Sequence, residues 1–260
     1  MTPDSRYIVI IPSYNTGPRL AETVAQAAAC WQPVWVVIDG STDGSAGPLE
    51  EKYRGQAGVR VLQLAQNSGK GAAVLHGFHA ALAAGFTHAL VMDADGQHPA
   101  DHIQRFIEIS QKNPDAMVLG VPEFAADSPL SRRHGRRVGN WWANLETLWG
   151  GIDDSLFGFR IYPLEPSVRI LEEIRGGRRY DFDTELAVRL FWSGARPINV
   201  PVPVRYFAAA EGGVSHFRYV RDNWLLFRRH TRLVLEMLPQ LRRIWRLRTH
   251  ARATRSSAKG

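Results

Sequence analysis

The segment Val91-Met92-Asp93-Ala94-Asp95-Gly96-Gln97-His98 places two carboxylates two residues apart, directly behind an apolar run. If the chain leaves strand geometry there, both can reach one ligand site. Neither can be buried unpaired without a large desolvation cost. A hard cation such as Mg²⁺ or Mn²⁺ satisfies such oxygens and bridges to a diphosphate. It would then act as a Lewis acid on a departing nucleotide diphosphate. The plain alternative is a polar turn with a helix cap.

Two other segments have the same character. Val36-Val37-Ile38-Asp39-Gly40-Ser41-Thr42-Asp43-Gly44 also follows an apolar run, and its Asp39 suits hydrogen bonds from a base or ribose. The alternative is an ordinary turn, because Asp, Gly and Ser dominate turns. Asn67-Ser68-Gly69-Lys70-Gly71 opens a helix-like stretch whose main-chain N–H groups and lysine suit a phosphate. It is not the spacing of a full P-loop. The alternative is a helix start with a solvated lysine.

The elements that must position these residues alternate in type. Strands are expected at Tyr7–Pro12, Val34–Ile38, Val59–Leu64, Ala89–Met92 and Ala116–Gly120. Helices are expected at Leu20–Trp31, Leu49–Tyr53, Gly69–Ala84 and Ala100–Gln111. Apolar strands joined by helical crossovers predict an α/β fold, a mostly parallel sheet with helices on both faces. Ligands of such sheets sit beyond the carboxyl ends of the strands. Chemistry is therefore expected just after Pro12, Ile38 and Met92.

Further on, Glu123–Arg137 reads as a mobile polar loop and Val138–Trp149 as helical. Asp154–Tyr162 reads as loop and strand, Asp183–Ser193 as helix, and the proline-interrupted Ile198–Phe207 as an edge strand. From Val214 the pattern is helical. Val234, Met237, Leu238, Leu241, Ile244 and Trp245 keep helical spacing, and Pro239 divides the stretch. Arg252–Gly260 reads as disordered. The expected division is a catalytic domain over 1–213 and a basic amphipathic helical extension over 214–260.

Composition narrows the class. With 260 residues, 45% of them hydrophobic and 22% charged, the chain can build one substantial core. One cysteine, Cys30, excludes an intrachain disulfide framework and suits a reducing cytosol. No signal-peptide pattern opens the chain, and no apolar run reaches the ~20 residues of a membrane span. The expected location is cytoplasmic, or peripheral on the inner face of a membrane. From Arg218 to Gly260 there are 12 Lys/Arg against 2 Asp/Glu, whereas the rest has 20 against 23. A concentrated basic segment attracts anionic surfaces, either lipid headgroups or nucleic acid.

Four motifs in order at strand ends carry a resemblance. They are Pro12-Ser13-Tyr14-Asn15, Asp39-Gly40-Ser41-Thr42-Asp43-Gly44, Asn67-Ser68-Gly69-Lys70-Gly71 and Asp93-Ala94-Asp95-Gly96-Gln97-His98-Pro99. Together they resemble family-2 glycosyltransferases of the GT-A fold, in particular the dolichol- or polyprenol-phosphate mannose synthase branch. The match is good over roughly 7–120 and weaker to about 216. The resemblance implies an inverting transfer from a UDP- or GDP-sugar. It places Pro12, Tyr14 and Asn15 along the nucleotide, Asp39 at the base, and Asp93, Ala94 and Asp95 at the metal and diphosphate with Gln97 beside them. Lys70 falls where the family has Gly-Lys-Gly, in a binding or a structural role.

The chain departs from the family in places. Ile38 stands where the family has a first acid. Phe157-Gly158-Phe159-Arg160 stands for Ser-Gly-Phe-Arg, and Ala210–His216 lacks the Arg and Lys of a later element. Those two would hold phosphates, so their loss speaks against a polyprenyl phosphate acceptor.

In the acceptor half, Tyr180-Asp181-Phe182-Asp183-Thr184-Glu185 opens a helix. A hydroxyl acceptor needs a carboxylate to take its proton, with Asp183 first and Asp181 second. A phosphate acceptor needs none. Either residue suits an N-cap equally well. His216 is a candidate for the diphosphate or metal, or is structural. Arg132, Arg133, Arg136 and Arg137 suit an anionic acceptor or a solvated face. Trp224, Leu225, Phe227, Leu241 and Trp245 among arginines suit a helix lying in a membrane interface, or one packed on the domain or on a second copy. The expected partners are thus a nucleotide-sugar donor, a lipid-linked or membrane-proximal acceptor and an anionic membrane surface.

The rival readings explain less. A Rossmann dehydrogenase needs G-x-G-x-x-G after the first strand, where this chain has Pro12-Ser13-Tyr14-Asn15-Thr16-Gly17. A nucleotidyltransferase needs a Gly-rich basic loop near its N-terminus, which Ser13–Gly17 is not. A nucleic-acid-binding protein would use the tail but leave the acidic strand-end motifs idle, and no nucleic-acid partner is expected.

Overall fold

The computed structural model describes residues 6–123, 130–174, 182–204 and 219–257. A seven-stranded sheet in the order β3-β2-β1-β4-β6-β5-β7 runs through it. Its strands are β1 (Tyr7–Ser13), β2 (Val34–Asp39), β3 (Val59–Leu64), β4 (His88–Val91), β5 (Met117–Glu123), β6 (Arg160–Pro163) and β7 (Pro197–Pro203). All pairings are parallel except those of β6, which runs antiparallel to both β4 and β5. The helices are α1 (Arg19–Cys30), α2 (Ala46–Tyr53), α3 (Lys70–Ala83), α4 (Ile103–Gln111), α5 (Leu130–Glu146), α6 (Leu164–Glu173), α7 (Phe182–Ser193), α8 (Tyr219–Met237) and α9 (Leu241–Ser257). This is the mostly parallel α/β architecture that the apolar strand runs predict.

Strand alternation builds two cores. In β1, Ile8 and Ile10 face one side with Phe78 of α3, Val168 of α6 and Leu186 of α7. Val9 and Ile11 face the other side with Val24 of α1, Leu49 of α2 and Phe106 of α4. Helix α1 shows the matching period, burying Leu20, Thr23, Val24 and Ala27 on one stripe. Leu233, Met237 and Ile244 belong to the first core, so α8 and α9 pack on the sheet's α3–α7 layer. Further bonds fix α8 there. Arg229 Nε lies 3.0 Å from Glu185, Arg189 bridges Glu185 and Glu236, and His230 pairs with the buried Glu146 at 2.7 Å.

Several local expectations need correction. The stretch Glu123–Arg137 is not loop throughout, because α5 already starts at Leu130. Its first turns carry arginine and serine, so hydropathy does not mark them, although arginine is a good helix former. Helix α9 extends to Ser257, well into the tail expected to be disordered. The same Arg- and Ala-rich composition sustains it. The strand expected within Asp154–Tyr162 is confined to Arg160–Pro163, and the unforeseen helix α6 follows it at once. Beta-strand β7 does lie at an edge, as its prolines require. Pro239 falls in a short 3₁₀ turn between α8 and α9. Among the described residues no helix is long and apolar enough to cross a membrane.

Candidate active site

The strand order sets β1 between β2 and β4, so the loops leaving all three meet at one carboxyl edge. The chain turns from β1 toward β2 on one side and reaches β4 on the other, which is where open α/β sheets take ligands. The loops after β1 and β2 are clipped together. Asn15, at φ 47, accepts from Thr42 N–H on Oδ1 at 2.8 Å and donates its own main-chain N–H to Ser41 Oγ at 3.0 Å. Gly17 N–H donates to Asp43 at 2.8 Å. Pro12 is buried, whereas Tyr14 is 37% exposed on this rim.

Asp39 ends β2 and is buried. Its two oxygens accept from the main-chain N–H groups of Ser68 and Gly69, each at 2.8 Å. The carboxylate thus fastens the turn that launches α3. Gly40 has φ +63, and a Cβ there would meet Asn67 N at 2.4 Å, so only glycine lets the two loops close.

Lys70 opens α3 and lies 2.6 Å from Asp93 Oδ1 and 3.0 Å from Asp183 Oδ2. A first residue of α3, a carboxylate after β4 and a carboxylate at the start of α7 are thereby joined. Burial alone would raise the Asp93 carboxyl, but the Lys70 ammonium reverses this and holds it at about 2. Burial would likewise depress Lys70, and the carboxylates of Asp183 and Asp93 outweigh it and hold the ammonium above its usual range. Asp95 has no such cation in contact. Burial, and then the neighbouring Asp93 charge, push it up to about 6. A carboxylate disfavoured in this way gains from a cation, so the pair fits a hard metal with oxygen ligands. Asp95 also accepts from Gln97 N–H at 3.0 Å, which shapes the turn, and Ala94 C=O accepts from Thr23 Oγ1 of α1 at 3.1 Å. Among the described residues no group of three His, Cys, Asp or Glu stands ready to hold a metal.

Asp183 is 3% exposed, and its Oδ1 has no hydrogen-bond partner. Asp181, His216 and the rest of Ala210–His216 lie outside the described residues, as do the side chains of Arg132, Arg133, Trp224, Leu225 and Phe227. Arg136 Nη1 donates to both Asp154 Oδ1 and Oδ2 at 2.8 Å, and Arg137 is exposed.

Three residues that sequence reading left without a role turn out to build the site. Arg160 is wholly buried, donating to the carbonyls of Phe157 (2.6 Å), Asp183 (2.8 Å) and Asp154 (3.3 Å) and to Tyr162 Oη (3.1 Å). Its advance signals were its place at the end of the Phe157-Gly158-Phe159-Arg160 element and an arginine opening an apolar strand. Gly158 lies under the Lys70–Asp93 pair, where a Cβ would fall 2.8 Å from Lys70 Nζ and 3.0 Å from Asp93 Oδ2. His98 accepts the Asp93 N–H on Nδ1 at 2.9 Å and packs edge-on against Phe157. Burial pushes its pKa down to about 4, so the ring is neutral.

Comparison with known proteins identifies the family. The sequence pattern of Glycosyl transferase family 2 matches residues 8–163. A polyprenol monophosphomannose synthase of Mycolicibacterium smegmatis is 31% identical over 230 residues, covering 82% of this chain and 81% of the relative. An undecaprenyl-phosphate mannosyltransferase of Micrococcus luteus is 26% identical over 202 residues, covering 76% and 82%. The fold matches that of the mannosyltransferase PcManGT of Pyrobaculum calidifontis, solved with GDP-Man and Mn²⁺, at TM-score 0.56 and 20% identity. It matches S. aureus TarS 1-349, solved with UDP-GlcNAc, at TM-score 0.56 and 17% identity. These matches cover 78% and 88% of this chain but only 58% and 66% of those two structures. With the family pattern spanning more than half its length, the chain belongs to glycosyl transferase family 2 and is a glycosyltransferase of the polyprenol-phosphate sugar synthase branch.

Proposed function

We propose that the protein transfers a sugar, with inversion, from a UDP- or GDP-sugar to a lipid phosphate at the inner face of a membrane. The observation that carries this reading is the junction of Asp93, Lys70 and Asp183, with Asp95 two residues along the same turn, at the carboxyl edge where β1, β2 and β4 meet. The nucleotide lies along Pro12, Tyr14 and Asn15, with Asp39 shaping that part of the site through the turn at Ser68–Gly69. Asp95, with Asp93, holds Mg²⁺ or Mn²⁺, and Gln97 borders it. When bound, that metal neutralises the diphosphate and eases its departure.

The acceptor must approach the anomeric carbon from the face opposite the diphosphate. The names of the two relatives supply its class, polyprenol and undecaprenyl phosphate. A phosphate acceptor arrives as an anion, so no side chain has to remove a proton. Asp183, through its unpartnered Oδ1, is the base if the acceptor is a hydroxyl. His216 remains a candidate ligand of the metal or diphosphate.

The C-terminal helices keep the lipid acceptor within reach. Leu241 and Trp245 are exposed on α9 beside the exposed Arg242, Arg243 and Arg246. An apolar ridge flanked by arginines suits an anionic lipid surface. We retain 1–213 as the catalytic unit and 214–260 as its membrane-facing extension.

The test is sugar transfer to a short polyprenyl phosphate from a panel of UDP- and GDP-sugars with Mg²⁺ or Mn²⁺. Wild type forms product with at least one donor, and Asp95→Ala loses most of that activity. No product with any donor and either metal would refute the proposal.

A further inference from the structure

Asp93 does not offer both of its oxygens to a metal. Its Oδ1 is engaged by Lys70 Nζ at 2.6 Å, and its main-chain N–H is tied to His98. A divalent cation arriving at the 93–95 turn therefore finds Asp95 and only the second oxygen of the partly exposed Asp93, close to a fixed ammonium. The described residues offer no third acidic or histidine ligand to compensate. Lys70 is not free to move off at random, because Asp183 holds it from the other side at 3.0 Å. That second partner also means that Lys70 can release Asp93 without being left as an uncompensated buried charge.

The geometry points to Lys70 as an internal competitor of the metal: it occupies Asp93 until a nucleoside diphosphate brings negative charge and further oxygen ligands, so metal and nucleotide bind together. This deepens the proposed nucleotide-sugar reading and rests on it. Lys70 acts here as a positioning residue, through Asp93. Hard cations held by few protein carboxylates depend on phosphate oxygens to complete their shell. A protein that pairs one of its two carboxylates with an ammonium makes that dependence stricter. The benefit is order of assembly, because the metal is not sequestered in the absence of donor.

The experiment is Mn²⁺ titration of the full chain, with free Mn²⁺ read from its electron paramagnetic resonance signal. Lys70→Met frees Asp93 but leaves Asp183 buried and unpaired, so Lys70→Met with Asp183→Asn is the second variant. The double variant removes one charge of each sign and leaves the total charge of the cluster unchanged. It therefore isolates the availability of Asp93. Without nucleotide, wild type and Lys70→Arg bind Mn²⁺ weakly, and the double variant binds at least tenfold more tightly. With UDP or GDP, wild type retains Mn²⁺ on the protein. Equal affinity of the double variant and wild type without nucleotide overturns the competitor role and leaves the donor reading standing. Failure of wild type to retain Mn²⁺ with either nucleotide overturns both.

Discussion

Arg160 Nη1 donates to the main-chain carbonyl of Asp183 at 2.8 Å, which ties the first residue of β6 to the first turn of α7. The same guanidinium serves the carbonyls of Phe157 and Asp154, so one buried side chain orients both walls of the acidic cluster. Its removal leaves several carbonyls buried without donors, a loss of about 3 kcal/mol or more. Arg160→Met is expected to lower the urea midpoint accordingly. Arg160→Lys should recover little, because an ammonium lacks the planar fork. A lysine variant as stable as wild type would show that only the charge matters.

Gly158 is required for space, not flexibility. A methyl group there would enter the Lys70–Asp93 contact at 2.8–3.0 Å, and neither partner can retreat without giving up its ion pair. Gly158→Ala is expected to leave the circular dichroism spectrum intact. Transfer should fall by about tenfold or more, the scale of misplacing a reacting group. Unchanged kinetics would mean that the pair adjusts freely.

His98 makes the fold acid-sensitive. In the unfolded chain its ring takes a proton as the pH falls through 6.5, whereas in the folded protein it does not until about 4. Its contribution is complete above 6.5 and is lost between 6.5 and 4, by roughly 3 kcal/mol in all. Asp95 acts in the opposite sense, since a carboxyl raised to about 6 favours the folded state as the pH falls from there toward 3.8. The two are separated by comparison with His98→Gln. The difference in unfolding free energy between wild type and variant should shrink across this window. A difference independent of pH would contradict a neutral buried ring.

Much of this was legible in the chain itself, for a physical reason. Runs such as Tyr7–Pro12 and Val34–Ile38 are apolar on both faces, which only a covered parallel strand requires, and the turn residues behind them carry the acidic groups. The partners of those groups were not legible. Lys70 and Asp183 are separated by 113 residues, and no local pattern announces such a pair. The N–H groups of Ser68 and Gly69 that donate to Asp39 were not legible either, because their direction depends on a tertiary turn. Arg160 read as the end of a motif because burial of a guanidinium depends on carbonyls gathered from two separate segments, 154–157 and the start of α7. Helices α5 and α9 were cut short because basic residues carry no hydropathy signal even where their helix propensity is high.

The exposed ridge of α9 predicts salt-sensitive lipid binding. Vesicles rich in phosphatidylglycerol should retain the protein at low ionic strength and release it as salt rises. Arg242→Glu combined with Arg246→Glu should weaken retention several-fold, and Trp245→Ala should weaken it at every salt concentration. Retention equal on neutral and anionic vesicles would remove the electrostatic part of the account.

The most direct measurement is a crystal structure of the protein with Mn²⁺ and GDP or UDP. Mn²⁺ is expected on an Asp95 carboxylate oxygen together with the diphosphate, and the nucleoside along Tyr14 and Asn15. A nucleotide bound away from the carboxyl edge of β1, β2 and β4, or a metal that does not touch Asp95, would contradict it.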